Sequence, residues 1–203
     1  MRDALNLRMK SFVLIVSAVS AVFVCVGCSG GHRVVSLPDT HGAQHVPLAA
    51  HGDEVVVLLF SSPDCPIANA IAPEIERLHQ LTLAGGGRFY LVHARRDVTA
   101  GGAAAHAREF GITATVLLDH EQTLVQIMDA TVTPELVVLA VAQDGTLRTT
   151  YQGRINNLYA SLGNRRDHAT KHWGRDAISK TINGERVDPP YRQPLGCFLE
   201  QNQ

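Results

Sequence analysis

The sequence predicts an α/β protein, with a mixed central sheet flanked by helices. Three observations carry this. Apolar runs of strand length alternate with segments whose apolar residues recur at helical spacing. One run, Val55 to Phe60, is apolar without interruption and suits a strand covered on both faces. A hairpin turn at Gln143-Asp144-Gly145-Thr146 adds antiparallel pairing near the end of the sheet. At 203 residues, 45% hydrophobic and 18% charged, the chain suits one compact domain with short extensions and excludes wholesale disorder. A formal net charge of −1 gives no electrostatic case for a nucleic-acid partner.

The elements follow in order. Val34–Leu37 and His45–Leu48 flank the turn-rich Pro38-Asp39-Thr40-His41-Gly42 and predict a β-hairpin. After the Val55–Phe60 strand, Ser61 to Pro66 turns the chain into a helix, with Pro66 at the first helical position, where its missing N–H costs nothing. Ile67, Ile71, Ile75, Leu78 and Leu81 continue that helix, Pro73 kinks it, and Gly85-Gly86-Gly87 stops it. Arg88–His93 is a strand, Ala103–Phe110 a short helix ended by Gly111, Thr115–Leu118 a strand and Gln122–Met128 a short helix. Glu135–Val141 and Leu147–Tyr151 are strands, and Trp173, Ala177, Ile178, Thr181 and Ile182 mark a last helix closed by Gly184. Residues 185–203, rich in proline, read as an extended tail.

The first residues read as an address. Arg2, Arg8 and Lys10 precede the uncharged apolar run Phe12 to Val26, which falls short of the ~18–20 residues needed to span a bilayer. The segment Val24-Cys25-Val26-Gly27-Cys28-Ser29-Gly30-Gly31 resembles a bacterial lipobox, which implies a signal peptide over residues 1–27 and lipidation of Cys28. Cys25 stands where that motif usually has an aliphatic residue, and an ordinary cleaved signal or an uncleaved anchor are the other readings. On the lipobox reading, residues 28–33 are a linker, 34–184 the folded domain, and the protein sits in the bacterial cell envelope on the periplasmic side. Of four cysteines, Cys25 leaves with the signal and Cys28 takes the lipid, so the domain keeps Cys65 and Cys197 as thiols, in a compartment that permits disulfides.

Cys65 lies at the carboxyl end of a buried strand and the amino end of a helix, where unpaired N–H groups favour a thiolate. Asp64 opposes this unless its carboxylate points into solvent. With Cys65-Pro66 followed by Pro73 eight residues after the cysteine, the segment resembles the active turn of the thioredoxin-like superfamily. Thr131-Val132-Thr133-Pro134-Glu135 resembles that superfamily's cis-proline loop, and the N-terminal hairpin its redoxin branch of peroxiredoxins and membrane-anchored thiol-disulfide proteins. The resemblance covers about Val34 to Tyr151 and implies a thioredoxin-like fold, Cys65 as nucleophile, and a substrate groove at Pro66, Thr133 and Pro134. Gly153-Arg154-Ile155-Asn156-Asn157 and Gly196-Cys197 are similar to a group of uncharacterised bacterial redoxin-domain proteins.

The departures are informative. Ala68 stands where the resolving cysteine of Cys-x-x-Cys would be, which leaves Cys197 as the candidate resolving thiol, or as a thiol that packs or pairs between chains. Ser62 fits the hydroxyl slot of the peroxiredoxin motif, Leu58 occupies its proline slot, and Arg154 is a candidate cationic partner. Glu135 and Arg154 read otherwise as solvated or ion-paired. The implied activity is thiol-disulfide exchange or thiol-dependent peroxide reduction, without a cofactor. Its partners would be a protein disulfide or small peroxide, a thiol electron donor, and the membrane through the lipid. A second reading is a copper-binding or assembly factor that uses Cys65 and His93, with Asn69 where copper-delivery relatives have a second cysteine. A third is a non-catalytic envelope lipoprotein.

Overall fold

A computed structural model of the chain describes residues 34–50, 54–142 and 144–200. The expected signal peptide, lipidation site Cys28 and linker fall outside the described residues. The elements are β1 (Leu37–Pro38), β2 (Gln44–His45), β3 (Val55–Ser61), α1 (Pro66–Ala70), α2 (Ala72–Ala84), β4 (Arg88–His93), α3 (Ala100–Glu109), β5 (Thr115–Leu118) and α4 (Thr123–Met128). There follow β6 (Val132–Thr133), β7 (Glu135–Val141), β8 (Leu147–Gly153), β9 (Tyr159–Ser161), β10 (Asn164–Arg165), α5 (Trp173–Ile182), β11 (Tyr191–Arg192) and β12 (Cys197–Phe198).

A six-stranded mixed sheet in the order β11-β8-β7-β3-β4-β5 organises the domain. Every residue of β3 is buried, as its unbroken apolar run requires. β4 pairs with it in parallel and β7 antiparallel. From β3 to β4 to β5 the chain steps across the sheet in one direction, so right-handed crossovers place α2 and α3 on one face. There Val57 and Leu59 of β3 pack with Ile75 and Leu78 of α2, Ala103 and Ala107 of α3, and Ala177 and Ile178 of α5. The alternate residues Val56, Leu58 and Phe60 meet Leu124 and Val125 of α4 and Leu37 of β1 on the other face. Among the described residues, no helix is long and apolar enough to cross a membrane.

Several local expectations change in detail. The kink at Pro73 is a full break: α1 ends and α2 begins at Ile71, with Pro73 in the first turn of α2, where a missing N–H is harmless. The N-terminal hairpin is tighter than expected and pairs only Leu37 with His45 and Pro38 with Gln44. Asp39 organises it, its carboxylate accepting from the N–H groups of His41 at 2.7 Å and Ala43 at 3.0 Å. The α3 helix starts at Ala100, because the Thr99 hydroxyl caps it by accepting from Gly102 N.

Residues 185–203 contain more than an extended tail. β11 adds to the main sheet parallel to β8, and β12 pairs antiparallel with β6. Glycine permits both approaches. A Cβ on Gly153, whose φ is +122°, would lie 1.8 Å from Arg192 O, and one on Gly196 would lie 2.0 Å from Thr133 O. Arg192 also stacks on Trp173, with its guanidinium carbon 4.9 Å from the ring centroid.

Candidate active site

β3 delivers the chain to a turn in which Cys65 N donates to Ser62 O at 3.1 Å. Cys65 is the N-cap of α1, with extended backbone, and its Sγ accepts from Ala68 N at 3.5 Å. Asn69, one turn on, donates to Pro63 O at 2.8 Å and ties the turn to its helix. The side chain of Cys65 is 1% exposed. Ile67 and Ala68 pack beside it, with Tyr159 and Cys197 partly buried against them.

The second wall is the loop that enters β7. The Thr133–Pro134 peptide bond is cis, and Thr133 O lies 3.0 Å from Cys65 Sγ. Glu135 braces this loop. Its carboxylate accepts from Thr131 N at 2.9 Å and from Gln152 Nε2 at 2.9 Å. The expectation that Glu135 is solvated or ion-paired is therefore corrected: it is buried and held by neutral donors, since β7 is an interior strand. On the outer edge of the loop, β12 sets Cys197 opposite Thr133 and Phe198 opposite Val132. That register places Cys197 Sγ 2.9 Å from Cys65 Sγ, across 132 positions of sequence, with both cysteines free.

The two sulfurs are electrostatically unequal. Burial, the largest influence, pushes the Cys65 thiol up. Hydrogen bonds donated by the Cys197 thiol and the Ala68 N–H outweigh it, and the net direction is down. Cys197 is pushed up to about 11 by its own burial, by its donation to Cys65, and by the charge that Cys65 carries. Cys65 is thus the more acidic thiol of the pair and Cys197 the less acidic one. Asp64 does not interfere, because its side chain is exposed and pairs with Arg95 Nη1 at 2.6 Å.

A cavity of about 190 Å³ opens onto Cys65, lined among others by Ser62, Arg95, Thr133, Cys197 and Phe198. No protein-family description matches the chain, and no curated protein does. Solved structures do. A hypothetical protein from Sinorhizobium meliloti superposes with a TM-score of 0.70 at 18% identity, covering 83% of this chain and 91% of its own. An uncharacterized conserved protein from Geobacillus kaustophilus gives 0.67 at 19%, with 82% and 88% covered. DsbF of MTB, solved in mixed oxidized and reduced forms, gives 0.50 at 15%, with 74% and 94% covered. The fold is thioredoxin-like.

Within this thioredoxin-like frame, the expected site residues divide. Cys65, Pro66, Thr133, Pro134 and Cys197 cluster at one end of the sheet, and Ser62 lines the same cavity with its hydroxyl buried and unpartnered. Arg154 lies apart. Its Nη2 donates to Tyr159 O at 3.2 Å, and it lines a separate small cleft with Ile67, Ile71 and Pro134. The cation at the Cys65 cavity is Arg95, just after β4, which also holds Asp97. Its one sequence signal is that it follows a strand running parallel to β3, so it emerges at the same sheet end as Cys65.

His93 is fully buried in the fold. Its Nδ1 lies 2.9 Å from Ser61 O, and its ring meets His106 edge-on at 5.6 Å between centroids. His106 in turn donates to Asn69 Oδ1 at 2.8 Å, since the Asn69 amide group is committed to Pro63 O. Among the described residues, no group of three or more His, Cys, Asp or Glu is placed to hold a metal ion. Gly196, named in the sequence only beside Cys197 for its resemblance, allows the tail to touch Thr133, a contact that nothing local in the sequence indicates.

Proposed function

We propose that the protein is an exported thiol-dependent redox protein, with Cys65 as the nucleophile and Cys197 as the resolving thiol. The observation that carries this is the 2.9 Å separation of the two sulfurs, with Cys65 the more acidic of the two. The Cys65 thiolate attacks a sulfur of a disulfide substrate, and that substrate's second sulfur departs as a thiolate. Cys197 loses its proton and attacks Cys65, which releases the substrate thiol and leaves a Cys65–Cys197 disulfide. A separate thiol donor then reduces that disulfide and closes the cycle.

Mass spectrometry of the domain after treatment with a small disulfide tests the reading. The expected product is an intramolecular Cys65–Cys197 bond. Cys65→Ser should lose all exchange, whereas Cys197→Ser should stall as a mixed disulfide on Cys65. Exchange that persists in Cys65→Ser overturns it.

A small peroxide is a second substrate class, favoured by the cavity, which reaches Cys65 without moving the tail and carries the unpartnered Ser62 hydroxyl. Parallel rate measurements with hydrogen peroxide and a dialkyl disulfide separate the two. Export and lipid anchoring through Cys28 rest on the basic, apolar and lipobox-like order of the first 31 residues. Incorporation of labelled fatty acid that disappears in Cys28→Ser is the expected result.

A further inference from the structure

A second cavity, of about 430 Å³, lies where α2, α5 and the chain between β8 and α5 meet. It contains neither cysteine, and it shares Ile71 with the small cleft beside Pro134. Ala70, Ile71, Pro73, Leu158 and Ala169 give it apolar walls. Its remaining lining is polar: Glu74, Arg77, Arg175, Asn156 and two histidines, His168 and His172. Apolar walls with a few convergent polar groups are the usual form of a small-molecule site.

The charges in this lining do not balance. Glu74 is the one acid in it, and it is buried. Arg175 neutralises that carboxylate at two points, Nε donating to Oε1 at 2.6 Å and Nη2 to Oε2. Arg77 meets it at one point, Nη1 to Oε2 at 3.3 Å, with its side chain 59% exposed. Arg77 is therefore the surplus cation. Its Nε and Nη2, and the Nη1 of Arg175, have no hydrogen-bond partner among the described residues. The field of the helices has the same sign. α2 and α5, of 13 and 10 residues, both begin at this cavity, and neither N-cap, Ile71 or His172, makes a side-chain capping bond. Asp176, in the first turn of α5, lines the separate cleft beside Trp173.

We infer that this cavity binds a small organic acid, with its carboxylate on Arg77 and the free edge of Arg175 and its apolar body against Ile71 and Leu158. The guanidinium groups supply the planar donor pairs that a carboxylate accepts. Glu74 holds Arg175 in place and leaves the net charge of the lining positive, so an amine of the same shape is repelled. The walls select against a bare inorganic anion, which cannot cover them. The site uses neither thiol, so it stands whether or not Cys65 is a nucleophile.

The test follows backbone amide shifts of the full chain, isotope-labelled and reduced, during titration with three probes: hexanoate, hexylamine and inorganic phosphate. Hexanoate should shift Ala70, Ile71, Leu158 and Ala169 saturably, and hexylamine should not. Phosphate should bind at least about fivefold more weakly than hexanoate. Arg77→Gln should weaken hexanoate at least about fivefold. Its fold should stay intact, since Arg77 is exposed, with an unchanged unfolding midpoint and unchanged alkylation of Cys65 by iodoacetamide. Arg77→Glu, which reverses the charge, should abolish binding. Equal responses to hexanoate and hexylamine overturn the proposal, because they mark an apolar groove without charge selection. Phosphate that binds as tightly as hexanoate overturns the organic-acid class. Hexanoate that causes no saturable shift at about 10 mM, or that binds Arg77→Glu undiminished, overturns the site.

Discussion

At Cys65, burial and hydrogen bonding pull the thiol in opposite directions, and the donors win because Cys197 and Ala68 both aim at one sulfur. Removing the Cys197 donor therefore raises the Cys65 pKa. Iodoacetamide titration should place the alkylation midpoint of Cys197→Ala above that of Cys65 in the unmutated protein. Arg95 acts more indirectly, by neutralising Asp64 next to the nucleophile. Arg95→Gln should slow alkylation at neutral pH by about threefold, the equivalent of half a pKa unit. A salt titration that closes the gap would confirm the electrostatic origin. His93 supplies a pH dependence of a different kind. Burial, with a smaller push from His106, lowers its pKa to about 4 from 6.5, so the folded protein stays neutral there while the unfolded chain takes a proton. Its contribution to stability is complete above about pH 6.5 and is lost as pH falls towards 4, at a cost of about 2–3 kcal/mol. Urea unfolding at pH 7 and pH 4.5 measures this, and His93→Gln should flatten the difference.

At the scale of elements, the tail strands depend on two glycines rather than on side-chain contacts. Gly196→Ala forces β12 away from Thr133. Formation of the Cys65–Cys197 disulfide should slow at least about tenfold, with little change in global stability, because β12 contributes two residues of pairing. Gly153→Ala meets both a positive φ and the Arg192 carbonyl, and should cost about 1–3 kcal/mol. Amide exchange would then rise at Gln152 and Arg154, whose N–H groups bond to Pro190 O and Arg192 O. The helices and long strands were legible in the sequence, because each has its own apolar period. The tail strands were not, because Tyr191–Arg192 and Cys197–Phe198 are too short to carry a period, and only their partners define them.

For the whole molecule, the cysteine pair is a long-range tie. A disulfide between residues 132 apart constrains the unfolded chain strongly, and the oxidised form should be more stable than the reduced form by about 3–5 kcal/mol. Denaturant unfolding with and without a reductant checks this, and Cys197→Ser should abolish the difference. The same tie joins the last strand to the strand–helix turn after β3.

The sequence by itself determined the class of every long element and the placement of Cys65 at a strand-to-helix turn, while the cis bond at Pro134 came from the resemblance of its loop. The first two are written within a few neighbouring residues, as a period or a cap. Tertiary structure alone decided that Cys197 meets Cys65, that Arg95 rather than Arg154 borders the nucleophile, and that Glu135 is a buried brace. Those outcomes follow from strand register and pairing, which bring together residues separated in sequence: Gln152 with Glu135 across 17 positions, Arg95 with Asp64 across 31, and Cys197 with Cys65 across 132. A one-residue slip of β12 would turn the Cys197 side chain to the other face and leave Cys65 without a partner.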